Sequence, residues 1–234
     1  NETEGTVVGD SSDKDVSGNL VGIGPNDPSP WVAGKIGGAL RLDGSDDHVA
    51  FQNATALNDL KPFSFSGWIY AENEQGGYVV AKRSDTSGYW RISSNPQSIT
   101  WVRSYAGNNH PSLTGNVEQT VNGWRHVVFT WNGEKTGEHS SLYINGNSST
   151  NVTRTEGNGE IISDSNNLFT IGNRPQNNSS YFKGKVDDFR IYNRILTSGE
   201  VKKLFTEEGG EQPNPNPEPE KVAGAVEGIL IEKG

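Results

Sequence analysis

Almost every apolar stretch in this chain is short, alternates residue by residue with polar positions, and ends in a cluster of Gly, Asn, Ser or Asp. Phe63-Ser64-Phe65-Ser66-Gly67-Trp68-Ile69-Tyr70 and Ser98-Ile99-Thr100-Trp101-Val102-Arg103 show the form. A period of two turns successive side chains to opposite faces of a strand, whereas a helix needs a period near 3.6. The chain therefore reads as all-β, built from antiparallel strands with one wet face. Further strands are expected at 39–43, 48–51, 78–82, 89–92, 124–131, 141–144, 169–171 and 185–192.

Asn145-Gly146 and Asn132-Gly133 follow apolar runs and tolerate positive φ, so tight hairpins are expected at both. One segment breaks the pattern. From Thr197 to Phe205 a hydroxyl cap precedes Glu200 and the apolar residues share one face, which predicts a single short C-terminal helix. Past that point the composition changes: 207–220 alternates Pro with Asn and Glu and reads as a linker, and 221–234 turns apolar and β-prone again. The expected organisation is a sandwich over 1–206, a linker, and a tail that begins another domain or docks as a strand.

A length of 234 residues suits one sandwich with a tail. The formal net charge of -9 argues against nucleic acid and anionic membrane surfaces, which require clustered Lys and Arg. No apolar run reaches the length of a membrane helix. With no Cys there is no disulfide or thiolate metal site, and with no Met the chain reads as one whose start and leader have been removed. Sequons at Asn1, Asn53, Asn147, Asn151, Asn177 and Asn178 suit an extracellular glycoprotein, although a composition this rich in Asn, Ser and Thr produces about four by chance.

Five strings in order resemble the laminin-G-like jelly-roll family of the concanavalin A-like lectin and glucanase superfamily. They are GTVVGDSSDKDVSGNL, GKIGGALRLDGSDDHVAF, FSFSGWIY, GWRHVVFTWNG with SLYINGN, and FKGKVDDFRIYNRILTSGEVKKL. The resemblance covers residues 1 to about 205 and implies a two-sheet antiparallel β-sandwich, a jelly roll. It also implies a structural calcium where the first loop meets the last strand, with Asp10 and Asp187 as ligands; Asp13, Asp15 and Asn19 lie in the same loop but depart from the pattern. Family members usually begin with an apolar strand ahead of the position of Asn1. Its absence here leaves an edge that Ala225 to Ile231 could fill, in cis as fold completion or in trans as a link between copies.

Glycan-cleaving enzymes of this fold use paired carboxylates, but the central strands Tyr89–Ile92, Ile99–Arg103 and His126–Thr130 carry none. Tyr181-Phe182-Lys183-Gly184 resembles a string of alginate lyases, whose other motifs are missing. The four His are dispersed; His126 reads as packed in its sheet, and His48, His110 and His139 as turn or loop residues. Glycan binding asks for aromatic faces with Arg or Asn beside them. Tyr89 and Arg91 share one face of their strand, and Trp101, Arg103 and Tyr105 share a face of the next; for Tyr89 and Trp101 packing is an equally open role. Asn108-Asn109 and 173–178 could rim the site, while Trp68, Trp124 and Trp131 read as core. The functional expectation is a secreted or cell-surface, non-catalytic module binding a polysaccharide or glycoprotein glycan. The alternatives are a structural subunit joined to its own copies or to a neighbouring domain through 221–234, and a lyase or hydrolase on the same fold.

Overall fold

The computed structural model describes residues 4–12, 14, 16–24, 27–72, 76–84, 88–95, 97–106, 110–116, 122–134 and 140–209. The 221–234 tail, Asp13, Asp15, Asn108, Asn109 and His139 lie outside these. Two sheets face each other. With strands numbered along the chain, the first runs β1 (Val7–Val8), β2 (Gly18–Val21), β5 (His48–Phe51), β15 (Leu168–Ile171), β7 (Gly77–Arg83), β8 (Trp90–Asn95), β9 (Ser98–Arg103), β10 (Ser112–Asn116) and β14 (Val152–Thr155). The second runs β13 (Asn147–Ser148), β12 (Ser140–Ile144), β11 (Trp124–Trp131), β6 (Phe63–Ala71), β16 (Lys183–Tyr192), β4 (Gly38–Asp43) and β3 (Trp31–Ala33). Every pairing between these strands is antiparallel.

Aromatic rings join the layers. Phe63 of β6 lies 5.1 Å from Trp90 of β8 and 5.8 Å from Trp131 of β11, and Trp131 lies 5.6 Å from Trp101 of β9. Such spacings are those of favourable tilted ring pairs, each adding about 0.5–1.5 kcal/mol beyond the area it buries. Trp68 and Trp131 are buried as expected, and Trp124 is half-buried.

The outer face of β6 is also buried, because the one α-helix among the described residues, α1 (Ser198–Glu207), lies across it. Thr197 and Glu200 form the expected capping box, and Val201 and Phe205, four apart, turn inward. Phe205 meets Trp68 at 5.7 Å and His126 at 5.9 Å, so His126 is a packed residue. Just past the helix, the buried Glu208 carboxylate lies 3.1 Å from His126 Nε2 and 2.9 Å from Arg190 Nη1. The folded unit thus continues two residues beyond 206.

Of the turn and loop expectations, one holds and two need correction. Asn145-Gly146 makes the tight hairpin between β12 and β13, with φ of 50° and 77°. Asn132-Gly133 instead opens a longer connection, since β11 ends at Trp131 and pairs it directly with Ser140. There Asn132 Oδ1 accepts from the Glu134 N–H and the Glu134 carbonyl accepts from Trp131 Nε1, so the turn closes on itself rather than on the next strand. His48 belongs to buried strand β5, not a loop, and its Nδ1 is 2.9 Å from the Asp46 carbonyl. Strands β1, β2, β3, β10, β13 and β14 went unforeseen because they are short, polar or at sheet edges.

Gly146 is both at positive φ and close beneath the helix: a Cβ there would sit 3.0 Å from a Phe205 ring carbon. Gly146→Ala is expected to cost about 1–2 kcal/mol from the left-handed backbone alone. This corresponds to a fall of roughly 2–8 °C in a thermal unfolding midpoint.

Candidate functional site

Antiparallel register decides which of the expected ligand residues reach solvent. Arg91 stands opposite Val102, and Ile92 opposite Trp101. The face bearing Trp101 and Arg103 is therefore the inner one. Trp101, Arg103 and Tyr105 are each 1% exposed, so the expectation that they stand on an exposed glycan-binding face is corrected: they are interior residues. The Tyr105 hydroxyl donates to the Glu134 carbonyl at 3.1 Å, and burial pushes its phenol up to about 12.

Tyr89 and Arg91 do face outward, and they have company. The Arg83 guanidinium stacks over the Tyr89 ring at 3.9 Å and the Arg91 guanidinium over Tyr78 at 4.9 Å. Arg91 also donates to Ser93 Oγ at 2.5 Å. A line of directly opposed residues then crosses five strands: Tyr78, Ser93, Thr100, Thr114 and Thr153. Thr100 and Thr114 share a 2.9 Å hydrogen bond. At the usual strand spacing this row extends about 19 Å. Two stacked Arg–Tyr plates beside a hydroxyl row present donors, acceptors and flat apolar area together. Tyr78, Arg83 and the Thr positions were missed because Ser and Thr between apolar residues read simply as the wet side of a strand.

Under this face the inner side carries charge. Asp164, fully buried, forms ion pairs with Arg103 Nη1 and with Lys82 Nζ, the latter at 3.3 Å. Lys82 further donates to Asn58 Oδ1 and to the Asp164 carbonyl, and Arg103 Nη2 to the Ile162 carbonyl. Burial pulls the Lys82 ammonium below its ordinary range, with Asp164 opposing the shift. Asp59 and Asp164 exchange hydrogen bonds, each backbone N–H donating to the other's Oδ1. These two acids converge, yet Asp164 is neutralised by two cations and closed to solvent, unlike a carboxylate poised for proton transfer. The buried Ser66, His126 and Glu208 also meet, but both partners reach the same ring nitrogen, Nε2, which is not the arrangement of a nucleophile and its base.

The two carboxylates expected to share a calcium are engaged elsewhere. Asp10 accepts from the Ser12 N–H and hydroxyl and from the Val16 N–H, which ties its own loop. Asp187 Oδ2 accepts from the N–H groups of Lys35 and Ile36 at 2.7 and 2.8 Å and folds the 34–37 turn against β16. Backbone donors thus use part of the acceptor capacity of both carboxylates. Among the described residues, the acids whose oxygens converge within 4.8 Å are Asp43, Asp46 and Asp47, in the turn between β4 and β5. A hard cation accepts such a set. Of the other expected groups, Asn173 is buried, while Asn53, Asn147, Asn151 and Asn178 are all exposed.

Burial and the neighbouring Asp43 charge push the Asp47 carboxyl up. A carboxyl raised in the fold binds its proton more tightly there than in the unfolded chain, so its favourable contribution exists at low pH and is lost as pH rises through the raised value. At pH 7 only the cost of the charge remains. Asp47→Asn keeps an acceptor for the Asp43 N–H and removes that charge. With chelator present it is expected to raise the melting midpoint at pH 7 by about 1–3 °C, with the gain vanishing near pH 3. A midpoint lowered at pH 7 would contradict this account of the turn.

A family model described as the concanavalin A-like lectin/glucanases superfamily matches residues 43–202. Human adhesion G-protein coupled receptor D1 is 34% identical over 139 residues, covering 56% of this chain and 14% of the receptor. The botulinum-like toxin eBoNT/J of an Enterococcus strain is 24% identical over 218 residues, covering 82% of this chain and 16% of the toxin. The chain thus spans about a sixth of the length of these relatives. Among solved structures, the binding domain of botulinum neurotoxin serotype G superposes with a TM-score of 0.60 at 16% identity, covering 84% of this chain and 48% of that one. Domain 4 of the extracellular arabinanase AbnA from Geobacillus stearothermophilus superposes with a TM-score of 0.55 at 18% identity, covering 85% and 86%. Two facing antiparallel sheets, one capped helix and a family match over most of the sandwich lead to one conclusion: the chain belongs to the concanavalin A-like lectin/glucanases superfamily, as a laminin-G-like member.

Proposed function

We propose that this chain is an extracellular, non-catalytic binding module for a carbohydrate, with the outer face of β7, β8, β9, β10 and β14 as its ligand surface. The observation that carries the reading is the row of Tyr78, Ser93, Thr100, Thr114 and Thr153 beside the Arg83–Tyr89 and Arg91–Tyr78 stacks. Hydroxyls and guanidinium groups on a rigid sheet meet a polyol at many points, and their small individual gains accumulate along an extended chain. The relatives add support: one is an adhesion receptor, another structure is a toxin's binding domain, and the arabinanase domain was solved in complex with arabinotriose. Among the described residues no helix is long and apolar enough to cross a membrane, and five exposed sequons, at Asn53, Asn147, Asn151, Asn177 and Asn178, suit a glycoprotein.

Calcium enters the proposal as a structural ion only. The candidate ligands are Asp43, Asp46 and Asp47, whose oxygens converge, although Asp43 Oδ1 and Asp47 Oδ2 also accept backbone N–H groups of their own turn. Melting in millimolar calcium against chelator is expected to show a gain of about 2–4 °C that Asp46→Asn abolishes. Equal midpoints with and without calcium would remove the ion from the proposal.

A panel of plant, algal, microbial and host glycans tests the module itself. One class of oligosaccharide is expected to bind, and Arg91→Ala is expected to weaken it at least ten-fold while leaving the melting midpoint within about 2 °C. Failure on every glycan would leave the protein-binding, adhesive reading. Release of reducing ends or unsaturated uronates would return the enzyme.

A further inference from the structure

At one end of the sandwich, where β9, β11 and the segment leading into β6 meet, the structure holds a cavity of about 260 Å³. Its apolar wall is Leu60, Trp131 and Ile161. The polar groups on it are Asp59, Arg103 and Ser163, and the stem of Lys61 lies over Gly133 at the rim.

The buried ion cluster explains part of this arrangement and leaves part over. Arg103 spends Nη1 on Asp164 and Nη2 on the Ile162 carbonyl, which is what staples the 161–164 segment in place. Its Nε has no acceptor among the described residues, although the side chain is almost wholly buried. Other buried donors, among them Trp68, Trp90 and Trp101 Nε1, are also unmatched, but this one belongs to a side chain lining a cavity. Asp59 contributes the complementary chemistry: Oδ1 accepts from the Asp164 N–H and Oδ2 from the Ser163 hydroxyl, leaving lone pairs on both oxygens. The side chain is exposed, and its backbone is held at φ 51°.

We propose that this cavity is a subsite for one neutral sugar ring, the terminal unit of a glycan whose remaining units lie on the outer face. The proposal rests on the carbohydrate-binding reading above. The volume falls below the roughly 300–1,000 Å³ of drug-sized sites and is on the scale of one sugar ring. An aromatic and two aliphatic side chains face the apolar side of a ring, while the Asp59 carboxylate supplies acceptors and the Arg103 Nε–H a donor for its hydroxyls. Neutral sugars are favoured over uronates because the Arg103 charge is already matched by Asp164, and Asp59 and Lys61 on the wall offset each other, so the site offers no surplus positive charge to a ligand carboxylate. The cavity and the Tyr89 plate are at the same end: Tyr89 and Ser104 exchange hydrogen bonds, and Ser104 directly follows Arg103.

The test is a titration of the isotope-labelled full chain with single monosaccharides: arabinose, xylose, glucose, galactose, mannose and, as the charged comparison, glucuronate. At least one neutral aldose is expected to shift the amides of 59–61 and 161–163 with a dissociation constant in the low millimolar range, about 1–10 mM. Asp59→Asn keeps the acceptor for the Asp164 N–H and suits a positive φ, so it folds; it is expected to weaken that aldose at least ten-fold. Tyr89→Ala is expected to leave the monosaccharide within about two-fold and to weaken only longer chains. The subsite is overturned if no neutral aldose saturates these amides below roughly 100 mM, if glucuronate binds them more tightly, or if Asp59→Asn changes nothing. Oligosaccharide binding sensitive to Arg91 without any monosaccharide response removes the cavity and keeps the outer-face reading; absence of both removes the two together.

Discussion

The packing of Trp90, Ile92 and Trp101 against Phe63 and Trp131 controls the chemistry of this molecule. Side chains alternate along a strand, so a one-residue slip between β8 and β9 would exchange the inner and outer sets completely. With Ile92 opposite Trp101, the large rings fill the space between the sheets and the hydroxyls of Ser93, Thr100 and Thr114 fall outside. Burying three tryptophans and a phenylalanine at one level makes any other register expensive, at about 1.5–3 kcal/mol for each large apolar side chain left exposed. The hydroxyl row is thus a consequence of the core.

The same register carries Arg103 and Lys82 inside, where two cations meet one anion. Loss of Asp164 would strand both, a penalty of the order of 3–5 kcal/mol seen when one partner of a buried pair is removed. The ion cluster therefore fixes the 161–164 segment, which has little regular structure of its own, across the end of the sandwich. Burial of charge and the shape of the end cavity have one cause. At the opposite face the helix is held by a different mix, Phe205 on Trp68 and Glu208 between His126 and Arg190.

Much of this was legible in the residues. Alternation over Phe63–Tyr70 and Trp124–Trp131 marked the central strands, Thr197 and Glu200 marked the helix start, and Asn145-Gly146 marked its hairpin. Two things were not. Which face of an isolated strand is inner depends on its neighbours, so Trp101-Val102-Arg103, with an aliphatic between an aromatic and a cation, reads equally well either way. An Asp near a glycine-rich turn looks alike whether it holds a cation or backbone N–H groups. Asp187 does the latter because the 34–37 turn folds onto it, a contact between residues far apart in sequence. Asp43, Asp46 and Asp47 lay within one of the strings that carried the family resemblance, and only the fold of that turn brings their oxygens together.

The inner and outer assignment of β9 is open to direct measurement, since the chain has no cysteine to interfere. Single-cysteine variants Ile99→Cys and Thr100→Cys place one thiol on each face of the same strand. The account predicts that the thiol at position 100 reacts rapidly with a soluble alkylating reagent in the native protein and is protected by bound oligosaccharide, while the thiol at 99 reacts only on unfolding. Rapid native labelling at 99 with protection at 100 in the absence of ligand would mean that the sheet faces are reversed, and the proposed binding surface with them.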